Sequence, residues 1–494
     1  MNTNIPTVII PRSEHGISRS LLSQNGVRVL YKLKEQGFIG YLVGGGVRDL
    51  LLGREPKDFD VVTDATPGQL KKLFRNCRLI GRRFRLAHLH FHDEIIEVAT
   101  FRSTVDSAEA AESAESAEAV ETAETAETAE TAETAETAAP PEPRDDGDQF
   151  VRERDARRHG PRMLKSEDGM VLRDNVFGTP EEDAVRRDFT VNALFYNIAD
   201  FSIIDHVGGM EDLKNGVIRT IGDPLVRFTE DPVRMLRAVR FASMLGFNIE
   251  ERTAAALNEL CSTINKATPP RLYEEMLKML LKGEGERTYQ MMRSTGLFAP
   301  LFPHFDAWLE RESGGFPHAR VGKALEWVDE KVGSGVQVSP QLLIALMFGE
   351  YLEDKVASFR AEGAAPQLAT DMAVASFAGE LGLTVAIPNR VLIAVREILS
   401  CQHRFQKTPG RNGRGVVARA IFPDALDYLR FMERLAPAKK SLAQWWERFA
   451  AEQPVEEAPP APGEEGGEEG TAKKKRRRRR RRKKPSGSPA PATE

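Results

Sequence analysis

Leu42-Val43-Gly44-Gly45-Gly46-Val47-Arg48-Asp49-Leu50-Leu51-Leu52-Gly53-Arg54-Glu55-Pro56-Lys57-Asp58-Phe59-Asp60 is the stretch from which the fold can be read. The apolar run IGYLVGG reads as a strand that ends in glycines, and the apolar spacing from Val47 to Leu52 reads as a helix. A strand that turns through glycines into a helix brings backbone N–H groups and the positive helix end against an anion. If FDVVTD continues as a strand, Asp58 and Asp60 stand at i and i+2 on one face, where paired carboxylates can hold divalent cations. A tight turn explains the glycines alone, and a solvated strand end explains the acidic pair alone. Together, in strand-turn-helix-strand order, they point to a triphosphate-handling site.

The flanking sequence extends the pattern. Val27, Leu30, Leu33 and Phe38 mark a helix before the first strand. DATPGQLKKLF opens another, with Asp64 or Thr66 as its cap and Pro67 in its first turn. LAHLHF and IIEVATF, separated by HDE, read as a hairpin. These alternating elements predict a mixed α/β head domain. After residue 207 nearly every segment, from DPVRMLRAVRFASML to about Ala451, carries helical periodicity, so an all-α superstructure follows.

The chain has 494 residues, 41% hydrophobic and 29% charged, enough for roughly three domains. No stretch approaches the ~20 apolar residues of a membrane helix, and the first twenty residues lack the apolar core of a secretory signal. Cys77, Cys261 and Cys401 stand far apart, which excludes a disulfide framework and fits a reducing, cytoplasmic setting. The net charge of -4 conceals two opposed blocks: a glutamate at every third position from Glu109 to Glu136, ten in all, and twelve consecutive basic residues from Lys473 to Lys484. A three-residue period drifts by about 60° per repeat around a helix, so the acidic segment has no apolar face and reads as a solvated insert. From Gln453 onward the chain lacks core-forming residues, and a disordered tail is expected.

Further motifs make the pattern specific. Downstream of the glycines and the acidic pair stand Arg186-Arg187-Asp188-Phe189-Thr190-Val191-Asn192-Ala193-Leu194, then DHVGGMEDLKNGVIRTIG, then Glu230-Asp231-Pro232-Val233-Arg234-Met235-Leu236-Arg237-Ala238-Val239-Arg240-Phe241. In this order they resemble the class II branch of the DNA polymerase β-like nucleotidyltransferases, which holds CCA-adding tRNA nucleotidyltransferases and bacterial poly(A) polymerases. Leu79-Ile80-Gly81-Arg82-Arg83-Phe84-Arg85-Leu86-Ala87-His88 and the leading IPRSEHGISR resemble the poly(A) polymerase side. The match spans about residues 7 to 103 and 168 to 305; the C-terminal helices match loosely, and the acidic repeat departs from the pattern.

The resemblance implies a nucleotidyltransferase head at 1–206, interrupted by an insert at about 104–168. A helical neck that recognises the base follows at 207–265, then a helical RNA-binding body and leg at 266–451 and a tail at 452–494. It implies two Mg²⁺ ions, with Mn²⁺ as a substitute, on Asp58, Asp60 and Glu97. It further implies ATP held by Gly44, Gly45, Arg48, Asp49, Arg186, Arg187, Asp188, Asp231, Arg234, Arg237 and Arg240. Two guanidiniums suit a triphosphate and a carboxylate suits a ribose hydroxyl. Asp231 and Arg234, read as i,i+3 on one helix face, set an acceptor beside a donor fork, as the edge of a base requires. His88, His90 and His92 share a strand face at a spacing that could hold zinc, but no cysteine adds a further ligand.

Arg404, Lys407, Arg411, Arg414 and Arg419, around QKTPGRNGRG, form a basic cluster in the folded body, and the tail, with Lys473, Arg476 and Arg480, extends it. Such clusters bind phosphates without reading sequence. The expected activity is template-independent addition of AMP from ATP to RNA 3′ ends, with RNA-presenting or RNA-decay proteins as partners and no membrane involved. CCA addition to tRNA shares the head and neck motifs, and a catalytically idle RNA-binding protein is a rival of another class.

Overall fold

The structure, a computed structural model, describes residues 5–81, 86–103, 164–165, 171–173, 177–311, 319–406, 413–436 and 441–452, with backbone alone at 164–165, 171–173 and 319. The acidic repeat, Lys407, Arg411 and the basic run with Lys473, Arg476 and Arg480 lie outside the described residues.

The N-terminal half is built on a mixed sheet. In chain order its strands are β1 (Val8–Ile10), β2 (Gly40–Val43), β3 (Asp60–Thr63), β4 (Cys77–Ile80), β5 (Leu86–His90) and β6 (Ile95–Thr100). A separate two-stranded ladder, β7 (Leu164–Lys165) with β8 (Val171–Arg173), precedes β9 (Leu194–Asn197) and β10 (Ile203–Asp205). The sheet has eight strands in the order β1-β10-β9-β2-β3-β6-β5-β4. Among its pairings β3 and β6 run parallel, while β2 pairs antiparallel with both β3 and β9, and β5 with both β4 and β6. The β5–β6 pair is the hairpin that the HDE spacer predicts.

Local chemistry explains the helices that cover this sheet. Helix α1 (Gln24–Glu35) starts where the Ser23 hydroxyl accepts from the Gly26 N–H, and it buries Val29, Leu30 and Leu33. Helix α2 (Gly45–Leu51) follows β2 directly. In helix α3 (Pro67–Leu73) Thr66 is the cap, in a reciprocal capping box with Gln69. Asp64, the other candidate cap, instead accepts from the Ile39 N–H at 2.8 Å. At the end of β10 the Asp205 carboxylate gathers the N–H groups of Val207, Gly208, Gly209 and Met210 at 2.9–3.0 Å. Gly209 sits so close to this turn's neighbour that a Cβ would lie 2.2 Å from the Thr190 carbonyl oxygen.

Alternation along the strands divides the core. Leu42, Val61, Ile96 and Val98 belong to a large cluster that continues through the helices, whereas Val43, Val62, Phe101 and Phe195 form a smaller one on the opposite face. Beyond β10 the described chain is mostly helical. Phe298, Phe302, Phe305, Phe348 and Phe377 interlock there at ring-centroid distances of 4.7–6.0 Å, and Trp446 packs on Phe405 at 5.2 Å. The fold is thus an α/β head with a helical remainder. No helix among the described residues is long and apolar enough to cross a membrane.

Candidate active site

The sheet face that carries Val43 and Val62 runs out into acidic residues. Asp60 opens β3 opposite Val43, and in the parallel register it stands beside Glu97 of β6. Glu97 is half exposed, while its neighbours Ile96 and Val98 are fully buried, so its carboxylate faces away from the main core. Asp58 corrects the reading that put both aspartates on one strand: β3 begins at Asp60, and Asp58 lies in the preceding loop. Burial, then the charges of Glu97 and Asp58, push the Asp60 carboxyl up to about 6, against the downward pull of Arg187. His88, in register with Glu97 from β5, places Nε2 3.3 Å from its carboxylate; it is a partner of that residue. Among the described residues no three His, Cys, Asp or Glu side chains are drawn close enough to ligate an ion as they stand.

The glycine turn has a conformational cause. Gly44 adopts φ 76°, ψ -140°, closed to ordinary side chains, as it hands β2 over to α2. A Cβ on Gly44 would lie 3.7 Å from the Arg187 guanidinium and 4.0 Å from the Asp60 carboxylate, so this backbone borders both charges. Gly46, not singled out from sequence, is the tighter position, with a Cβ 3.1 Å from the Asp58 carbonyl oxygen. The Arg48 guanidinium lies against the glycine turn, where a Cβ on Gly45 would be 3.5 Å from its Nη2. It is buried, donates to Asp49 at 2.7 and 2.9 Å and to Asn192 at 2.7 Å, and lies over Phe241. Arg48 and Asp49 therefore brace α2 against the helix Val233–Leu245.

Beside the carboxylates opens a cavity of about 410 Å³ lined by six arginines, 102, 186, 187, 234, 237 and 271, against the aspartates 183, 188 and 231. Such an excess of guanidinium suits a polyphosphate. Arg186 and Arg187 end the helix Pro180–Arg186, which starts in a capping box between Thr179 and Glu182. Asp183 steadies both arginines, accepting from Arg187 at 2.9 and 3.1 Å and pairing with Arg186 at 3.5 Å.

Asp188 is fully engaged. It accepts from the Phe189 N–H at 2.8 Å, from Asn192 at 3.2 Å and from the Arg237 fork, whose Nε lies at 2.8 Å. Burial pushes its carboxyl up, but Arg237, Asn192 and the Phe189 N–H outweigh this and hold it down at about 2.

The Glu230-Asp231-x-x-Arg234 motif departs from the single-helix reading. Asp231 is extended, at φ -148°, ψ 95°, between the helices Pro224–Glu230 and Val233–Leu245. Its carbonyl accepts from the Arg234 N–H at 3.0 Å, and both residues line the cavity. Arg271, from the helix Pro269–Leu280, grips the Asp231 carboxylate bidentately at 2.9 and 3.1 Å. Arg234 instead donates to the Arg227 carbonyl at 2.9 Å and to Glu230 at 3.3 Å. Arg240 is outside the cavity lining: it donates to buried Glu275 at 2.5 Å and stacks over Phe241. Sequence reasoning missed Asp183, Arg227 and Arg271. Asp183, four residues before Arg187 in a helical segment, carried a readable signal; Arg271 had none.

Farther along the chain, Arg404 ends the helix Asn389–Phe405, and Arg414 and Arg419 lie exposed around the short helix Gly413–Val417. Burial raises the Cys401 thiol, and the charges of Arg419 and Arg404 pull it down.

Comparison with known proteins agrees with this geometry. The Poly A polymerase head domain model matches residues 40–219, a model for a probable RNA and SrmB-binding site of polymerase A matches 246–309, and one for the polymerase A arginine-rich C-terminus matches 362–484. Poly(A) polymerase I of Salmonella typhimurium is 40% identical over 452 residues, covering 91% of this chain and 87% of its own length. A CCA-adding enzyme of Lactobacillus helveticus is 33% identical over 269 residues, 54% of this chain and 53% of its own length. Among solved structures, the Bacillus stearothermophilus CCA-adding enzyme in complex with CTP superposes with a TM-score of 0.55 at 22% identity, over 88% of this chain and 82% of that one.

Proposed function

The chain belongs to the poly(A) polymerase family and is a polynucleotide adenylyltransferase, and on that premise we propose how its own residues divide the work of adding AMP from ATP to RNA 3′ ends. The observation that carries the proposal is the meeting of Asp60 and Glu97 in register beside a cavity lined by arginines. Asp58, Asp60 and Glu97 offer only hard oxygen donors, and the unbalanced repulsion felt by Asp60 is what a divalent cation relieves, so the set fits Mg²⁺ or Mn²⁺. Two such ions, when bound, would lower the pKa of the RNA 3′-hydroxyl and neutralise the triphosphate. Gly44 and Gly45 let the backbone approach the phosphates, and Arg186 and Arg187 pair with them. Asp188 lines the cavity, directs Arg237 toward it and is the ribose contact. Arg234 and Asp231 face the base. Arg48, against Gly45 and paired with Asp49, and Arg240, held by Glu275, complete the nucleotide-binding set.

RNA is held farther along the chain, by Arg404, Arg414 and Arg419 with Lys407 and Arg411, and by the tail through Lys473, Arg476 and Arg480. Residues 246–309 are the surface for an RNA-presenting partner. The setting is the cytoplasm.

The test is incubation with each nucleotide separately and with all four together, Mg²⁺ and either an unstructured RNA or a tRNA lacking its terminus, with products resolved by length. An ATP-dependent ladder on both RNAs is expected; addition that stops after C, C and A would assign CCA addition instead. Truncation after Thr471 removes the twelve basic residues Lys473 to Lys484, so it should weaken RNA binding while turnover on saturating RNA is kept. For every phosphate of single-stranded RNA that the tail neutralises, its removal should flatten the slope of log affinity against log salt by ~0.7. An unchanged slope in the truncated protein would move RNA binding wholly to the body.

A further inference from the structure

Arg227 lines neither the cavity nor the carboxylate site, yet it touches both halves of the nucleotide machinery. It lies in the helix Pro224–Glu230, whose start is fixed by Pro224 and by Asp223 accepting from the Leu225 and Val226 N–H groups at 2.9 and 3.2 Å. Its side chain is buried, with 8% exposure. One guanidinium nitrogen, Nη2, donates to the carbonyl of Arg186 and, at 2.7 Å, to that of Arg187. These carbonyls terminate the helix Pro180–Arg186, where helical partners run out and a cation is favoured. The other, Nη1, pairs with Glu230 at 2.9 Å. The Arg227 carbonyl in turn accepts from Arg234 at 2.9 Å and from the Asp231 N–H at 3.3 Å.

We propose that Arg227 is a positioning residue that sets the spacing between the phosphate-holding Arg186-Arg187 segment and the base-reading Asp231 and Arg234, and through that spacing the preference for ATP over other nucleotides. The inference rests on the base-reading role proposed above for Asp231 and Arg234. A planar fork can serve two carbonyls and a carboxylate at once; the compact ammonium of lysine cannot hold the same three directions. Burial and the nearby Arg234 charge pull the Arg227 guanidinium down to about 10, still fully charged at neutral pH, so the clamp is permanent under working conditions.

The experiment measures kcat and KM for single additions of ATP and of CTP to one RNA primer, with melting temperature, in the full chain and in Arg227→Lys, Arg227→Met, Glu230→Gln and Asp231→Ala. The Arg227 variants should lose about tenfold or more of the ATP-over-CTP preference, what one or two charge-assisted hydrogen bonds are worth. The loss should fall mainly on KM for ATP, and Arg227→Lys should not rescue it. Glu230→Gln, which keeps the shape and removes the charge, should shift the preference in the same direction and provides the test if the Arg227 variants do not fold. Equal losses for both nucleotides, or an unchanged ratio in the folded variants, overturn the proposal. If Asp231→Ala destroys the preference while the Arg227 and Glu230 variants keep it, only the role of Arg227 falls. If Asp231→Ala keeps the preference, the base-reading assignment itself is wrong.

Discussion

Asp58→Ala and Asp60→Ala should each slow AMP transfer at least a hundredfold with no loss of helical circular dichroism. Neither side chain belongs to a hydrophobic cluster, so truncation opens no core cavity. What is removed is the negative charge that would hold the divalent ions, and losing such charge stabilisation costs ~3 kcal/mol or more of the transition state. A rate above about a hundredth of wild type in either variant would refute these residues as ligands. Asp60 also makes a metal-free prediction. Its folded pKa lies near 6, above the ordinary value of 3.8, because burial, Glu97 and Asp58 all oppose its charge. A raised carboxyl contributes stability that is complete below its unfolded pKa and is lost as pH rises through the folded one. In EDTA, Asp60→Asn, which carries no charge at any pH, should match wild type near pH 4 and melt higher at pH 8, by at most about 3 kcal/mol in stability. Equal melting at pH 8 would show that the acidic cluster carries no such strain.

The sequence pattern revealed the strands, the glycine turn and the hairpin because each rests on a local cause: alternation, a backbone that only glycine adopts, and a short polar spacer. The placement of Asp231 went astray for a cause that was also local. Pro232 directly follows Asp231, and a residue before proline is driven out of the helical region, which is why Asp231 is extended between two helices. The Arg271 grip on Asp231 spans forty residues and two helices, and no periodicity encodes it. Nor does a run such as Arg234-x-x-Arg237-x-x-Arg240 disclose which arginine faces the cavity. Packing decides that: Arg234 and Arg237 line it, while buried Glu275 draws Arg240 away.

Arg237→Met should destabilise the protein by about 1–3 kcal/mol at neutral pH, less than the full cost of breaking a buried ion pair because Arg237 is a third exposed at the cavity and solvent screens the charge left behind. Asp188 is the charge left behind. In the intact protein its carboxyl is held near 2 despite burial, by Arg237 first and then by Asn192 and the Phe189 N–H. A depressed carboxyl contributes stability above its unfolded pKa of about 3.8 that is lost as pH falls through the folded value, so the pair supports the fold across the whole neutral range. Without Arg237 the carboxyl must either stay charged and unpaired or take up a proton, so the deficit of the variant should be largest at neutral pH and shrink as pH falls toward 4. Adding Asp188→Asn should recover much of the loss, since neither partner then remains buried and uncompensated. Melting curves of the wild type, both single variants and the double variant at pH 4.5 and 7.5 form the cycle that checks this. A single variant as stable as wild type, or a double variant no better than Arg237→Met, would show that the pair contributes little to the fold. A double variant that regains its melting temperature but not its turnover would locate the remaining role of Arg237 at the cavity it lines.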